Sequence, residues 1–101
     1  MKLTIQSVRF TASDHLKEHI QKKCDKLDQF FDRIIDGEVI LKVQNENKGA
    51  NKFVEILLNV PGEQLVATEF APTFEAATDM ATDKLKTRIK RYKEKMRART
   101  A

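Results

Sequence analysis

Seven apolar side chains, Phe74, Ala77, Ala81, Leu85, Ile89, Tyr92 and Met96, recur at spacings of three and four. Only an α-helix gathers residues so spaced onto one face. The stripe runs for roughly six turns at 3.6 residues per turn. A helix of that kind is not stable alone; it needs an apolar surface to lie on, and the rest of the chain has to supply it. Pro72-Thr73 stands just before the stripe, and Thr73 is placed to cap the helix.

The surface is legible upstream. Residues 38–44 (EVILKVQ), 52–60 (KFVEILLNV) and 63–70 (EQLVATEF) read as strands, with Val39, Leu41 and Val43 on one face of the first and Val54, Ile56, Leu58 and Val60 on one face of the second. Pro61-Gly62 predicts a hairpin between the last two, and NENKGAN predicts a polar loop before them. Residues 3–8 (LTIQSV) alternate as a further strand. Leu16, Ile20, Cys24, Leu27, Phe31 and Ile34 mark a first long helix, capped by Thr11 or Ser13 and ended by the turn signal Asp36-Gly37. The order is β-α-β-β-β-α, an α+β class. The simplest burial is a four-stranded mixed sheet with both helices on one face, strands one and two being parallel neighbours.

A length of 101 residues suits one domain, residues 1–101, with one modest core. No apolar run approaches a membrane span, and MKLTIQSV reads as a strand rather than a signal peptide. A lone cysteine, Cys24, forms no internal disulfide and fits a reducing compartment, which makes the cytoplasm the expectation.

The charge is divided. Residues 1–83 sum to −4 and residues 84–101 to +8. Lys84 to Arg99 (KLKTRIKRYKEKMRAR) holds nine Lys or Arg and one acid, Glu94. With Leu85 at the centre of the buried face, Lys84, Arg88, Arg91 and Lys95 fall on one flank of the second helix. Lys86, Lys90, Lys93 and Arg97 fall on the other. On the first helix, His15, His19, Lys22, Lys26 and Arg33 share a flank, with Lys23 nearer the core edge. Asp14, Glu18, Asp25, Asp28 and Asp32 lie toward the other side and the back. If one basic rail of each helix meets the other across the groove between them, they form a single positive channel.

A helix dipole favours cations only in the last turn, and Lys and Arg stems cover apolar edges. Nine cations against one acid exceed that need. The rails therefore point to a polyanion, nucleic acid foremost. Other chemistry is thin. His15 and His19 stand at i, i+4 without a third ligand, Cys24 lies on the buried stripe, and the three glycines are isolated, so no phosphate loop is present. No active site, cofactor or small-molecule substrate is expected. Phe53 and Phe70 are the aromatics a sheet could offer for stacking on single strands.

Two runs carry a family resemblance: Lys23-x-x-Lys26-Leu27-x-x-Phe30-Phe31-Asp32-Arg33-Ile34, and Ala76-Ala77-x-Asp79-x-x-x-Asp83-Lys84-Leu85-x-x-Arg88 continuing into Lys90, Lys93 and Lys95. From end to end the chain resembles the ribosome hibernation-promoting factors, the group that includes ribosome-associated inhibitor A and carries the older name of sigma-54 modulation proteins. The resemblance implies a fold similar to a double-stranded-RNA-binding domain. It implies binding to the small ribosomal subunit and its ribosomal RNA at the decoding channel, blocking messenger and transfer RNA in stress or stationary phase. It implies RNA contacts from Lys23, Lys26 and Arg33 on the first helix and from Lys84, Arg88, Lys90, Arg91, Lys93 and Lys95 on the second, with Lys22 beside the first group.

The ending at Ala101 matches the short members, which act with a separate ribosome-dimerising factor in some bacteria. Ordinary duplex-binding domains cluster lysines at the start of this helix. Here Thr73 to Asp83 is mildly acidic, which speaks against generic duplex binding. A general RNA-binding module using a basic two-helix face is the alternative. A docking domain for an acidic protein or anionic membrane is a third reading, weakened because Leu85, Ile89 and Tyr92 are needed for the core.

Overall fold

The computed structural model describes residues 1–44 and 49–100, residues 99 and 100 by their backbone alone. The elements are β1 (Leu3–Ser7), α1 (Asp14–Asp25), a 3₁₀ turn (Lys26–Gln29), β2 (Asp36–Val43), β3 (Lys52–Val60), β4 (Glu63–Ala71) and α2 (Phe74–Thr100). The sheet order is β1-β2-β3-β4, with β1 parallel to β2 and the remaining pairs antiparallel. The expected order and mixed sheet are both present. The loop expected at 45–51 falls mainly on residues 45–48, outside the described residues.

One face of the sheet buries Val39, Leu41, Val54, Ile56, Leu58, Val60, Leu65 and Ala67. Leu16, Ile20 and Cys24 of α1 and Ala77, Ala81, Leu85, Ile89 and Tyr92 of α2 close over them in a single core. A fully buried Leu or Ile contributes about 1.5–3 kcal/mol by leaving water. The alanines let α2 lie close to β3 and β4. Thr78 and Thr82 are buried too, and their hydroxyls donate to the carbonyls of Phe74 (2.8 Å) and Thr78 (3.0 Å), one turn back. The Tyr92 hydroxyl donates to the Pro61 carbonyl at 2.5 Å, tying α2 to the β3–β4 hairpin. In that hairpin Gly62 takes φ +84°, the left-handed value needed after Pro61.

The caps are those a helix requires. Ser13 accepts the Leu16 N–H at 3.1 Å, and Thr73 accepts the Ala76 N–H at 3.1 Å. The far end of the first helix differs from expectation. The α-helical stretch stops at Asp25 and not near Ile34, then tightens into the 3₁₀ turn. Three residues per turn eclipse i and i+3, which stacks Leu27 on Cys24, both fully buried.

Topology explains the early stop. β2 begins beside Leu3, at the end of the sheet where α1 finishes. An α-helix through Ile34 would leave too few residues, at about 3.5 Å each, to step down from the helix layer to the sheet. Arg33 therefore lies in the connecting loop rather than on a helix. Asp36-Gly37 is also not a turn: it opens β2, and Gly37 is buried. A Cβ there would sit 2.9 Å from Leu3 Cδ1 and 3.1 Å from Leu58 Cδ2, so the ends of these side chains fill the space that a larger residue would need.

The N-terminal ammonium of Met1 reaches Asp25 (2.9 Å) and Asp28 (2.7 Å), and Gln21 donates to the Met1 carbonyl (3.0 Å). Partial burial pushes the Asp25 carboxyl up, but hydrogen bonds from the ammonium and Gln21 outweigh it, and the net direction is down. Burial pushes the Cys24 thiol up to about 12.

Two outcomes are expected. Leu27→Ala destabilises the fold by about 2–5 kcal/mol in chemical denaturation; a loss under about 0.5 kcal/mol would put Leu27 outside the core. Cys24 resists thiol-labelling reagents at pH 8 until the protein is unfolded, since the thiolate is the nucleophile. Rapid labelling of the native protein would contradict the packing.

Candidate nucleic-acid interface

Each cation on α2 takes its place from the buried stripe, which fixes the rotation of the helix. Lys84, Arg88, Arg91 and Lys95 lie on the flank that overhangs β4. Lys84 pairs with Glu69 and reaches the Thr68 carbonyl at 3.4 Å. Lys95 pairs with Glu63 at 3.0 Å. Arg88 and Arg91 stand between these two on the same flank and are exposed. Both lysines are about half exposed, at 49% and 52%, while Glu69 and Glu63 are more covered, at 15% and 31%, so a phosphate can reach the ammonium groups beside the glutamates.

The opposite flank faces α1 and the 3₁₀ turn. It begins at Asp79, which accepts from His19 at 3.0 Å and pairs with Lys23 at 3.5 Å. This contact joins the two helices and takes His19 into a polar link. Further along the same flank, the Lys86 ammonium sits 5.7 Å from the centre of the Phe30 ring. Lys93 Nζ donates to the Phe30 carbonyl at 2.8 Å. Phe30, Lys86, Lys90, Lys93, Glu94 and Arg97 line an open groove of about 420 Å³.

The ten expected contact residues are thus not gathered in one channel. Lys23, Lys90 and Lys93 lie along the inter-helix side. Lys84, Arg88, Arg91 and Lys95 lie on the far side of α2. Lys22 and Lys26 are exposed on α1 and the 3₁₀ turn, but Glu18 and Asp25 share their shallow groove and dilute the positive potential. Arg33 is exposed in the loop before β2. Two cations on the inter-helix side, Lys86 and Arg97, belong with Lys90 and Lys93 by position. Their i+4 and i+7 spacing marks them as members of one rail, and that signal was present in the sequence. Phe30 was harder to find, because its neighbour Phe31 follows the apolar periodicity while Phe30 departs from it.

Lys90 and Arg91 spread toward the outward face of α2, where Glu94 is the single acid beyond Asp83. The C-terminal half of α2 is therefore basic on both flanks. At about 1.5 Å per residue, the stretch beyond Tyr92 carries this charge roughly 12 Å past the last fully packed contact. Such a helix can enter a cleft walled by phosphates and meet charge on either side.

A model of the sigma 54 modulation protein / S30EA ribosomal protein family matches residues 3–97. The ribosome hibernation promoting factor of Escherichia coli strain K12 is 30% identical over 97 residues, covering 96% of this chain and 98% of that protein. That of Azotobacter vinelandii is 30% identical over 95 residues, covering 94% and 85%. The ribosome hibernation promotion factor of Deinococcus radiodurans is 32% identical over 83 residues, 81% of this chain, and the chain spans only 44% of that longer relative. The crystal structure of the Thermus thermophilus Protein Y N-terminal domain superposes with a TM-score of 0.78 at 26% identity, covering 91% of this chain and 99% of that one. A ribosomal subunit interface protein from Coxiella burnetii shares the fold, with a TM-score of 0.82 at 23% identity over 93% of this chain and 99% of the other. With the element order, the sheet topology and a match over almost the whole length in agreement, the chain belongs to the sigma 54 modulation protein / S30EA ribosomal protein family.

Proposed function

We infer that this protein is a ribosome hibernation factor that binds the small ribosomal subunit through its ribosomal RNA near the decoding channel. There it blocks messenger and transfer RNA during stress or stationary phase. The observation that carries the reading is the C-terminal half of α2: cations on both flanks, one acid, and an apolar stripe in which Ile89 and Tyr92 are buried and Met96 partly buried in the chain's own core. A helix whose apolar face is already covered offers charge and hydrogen bonds, not a greasy face, and a walled polyphosphate cleft suits that offer. Family membership supports reading that cleft as a ribosomal one.

The action is steric. Lysines give point charges to phosphates and arginines give two-pronged contacts. Release of condensed counterions supplies much of the affinity. Folded RNA would be read by shape and backbone more than by sequence. No covalent step enters this reading. A protein with such a partner works in the cytoplasm. Where ribosomes also pair, a separate ribosome-dimerising factor would be its second partner.

Replacing Arg88 and Arg91 together by glutamate tests the far flank. Both are exposed, so the fold should hold, while affinity for isolated small subunits falls at least about 100-fold at 0.1 M salt. The slope of log affinity against log salt should lose about 2 in magnitude, one per cation removed. Unchanged affinity and slope would remove this flank from the interface. Equal binding of the parent protein to a plain RNA duplex would favour the general RNA-binding alternative.

A further inference from the structure

Of the seven aromatic residues in the chain, Phe30 alone is exposed, at 45%. Its neighbour Phe31 turns inward and meets Tyr92 edge to face, with ring centres 5.3 Å apart. The Phe30 backbone is held on both sides: its N–H donates to the Leu27 carbonyl at 3.0 Å, and its own carbonyl accepts from Lys93 Nζ at 2.8 Å. The ring therefore stands on a held backbone, partly exposed, with the Lys86 ammonium over it. It forms one wall of the groove whose other sides are Lys86, Lys90, Lys93 and Arg97, with Glu94 the single carboxylate.

A flat apolar face within a cationic rim suits a ligand that is flat and apolar at one end and anionic at the other. An unpaired nucleotide has that form. We propose that this groove is a base-stacking subsite, in which an unpaired base of the bound RNA lies on the Phe30 ring while the surrounding lysines hold its flanking phosphates. The proposal rests on the ribosomal RNA reading above and adds to it a contact with a base, not a phosphate. Lys86 now covers the ring at 5.7 Å, with Asp83 at 3.6 Å. It is long, exposed and weakly held, so it swings from the ring to a phosphate as the base arrives. The volume of about 420 Å³ lies among clefts that accept small planar ligands. Stacking tolerates any base, because every base has a π-face.

The protein has no tryptophan, so Phe30→Trp introduces a single fluorescent reporter at the site. The Phe30→Trp variant should bind isolated small subunits like the parent, and its emission should be quenched on binding. Phe30→Leu keeps an apolar wall but removes the ring face. It should bind roughly 5- to 150-fold more weakly, with the salt slope unchanged because no phosphate contact is lost. Circular dichroism of both variants checks that the exposed position leaves the fold intact. If the parent binds and Phe30→Leu binds equally well, or if the bound tryptophan keeps its emission, the subsite is overturned while the ribosome reading stands. If the parent itself does not bind subunits, the ribosome reading fails first and the subsite falls with it.

Discussion

The apolar stripe of α2 on β3 and β4 is the contact on which the rest depends. Ala77, Ala81, Leu85 and Ile89 are fully buried, and Tyr92 is tied to Pro61 at the hairpin. That contact sets the rotation of the helix about its axis. Once the rotation is fixed, every third and fourth residue falls on a flank without freedom to choose. Arg88 and Arg91 must overhang β4, and Lys86, Lys90 and Lys93 must face the end of α1. The core thus positions the charges, and no separate scaffold is needed for them.

Charge and counter-charge are interleaved on this surface. Glu63 and Glu69 on β4 hold Lys95 and Lys84, while Asp79 holds Lys23. The two glutamates quiet part of the repulsion among the nine cations of residues 84–99, and Asp79 does the same for Lys23. The glutamates do so through pairs whose lysines stay about half exposed. Arg88, Lys90 and Arg91 stay exposed near the outward face.

Much of this was legible in the residues. Period-two runs gave β2, β3 and β4 within a residue or two. Pro61-Gly62 gave the hairpin, and Thr73 gave the start of α2. The first helix was overextended because Leu27, Phe31 and Ile34 keep a helical period that the chain does not obey after Asp25. The parallel return to β2 overrode that period, and no local signal announces a return. Asp36-Gly37 was misread for a related reason: glycine marks close approach as well as turns, and only the packing of Leu3 and Leu58 tells them apart. The two rails of α2 were visible on a helical wheel. Which rail faces α1 depended on the pairing of Asp79 with His19 and Lys23, a contact between residues about 60 apart in sequence. The grouping of Lys90 with Lys86 and Arg97, apart from Arg91, was on the wheel already; only the direction in which that group faces followed from the contact.

The central claim is that a basic helix excludes messenger and transfer RNA from the small subunit. Co-sedimentation of the purified protein with isolated small subunits, with messenger and initiator transfer RNA as competitors, tests it most directly. The account predicts salt-sensitive binding that these RNAs and the protein deny to each other. Simultaneous occupancy of one subunit by all three would contradict it.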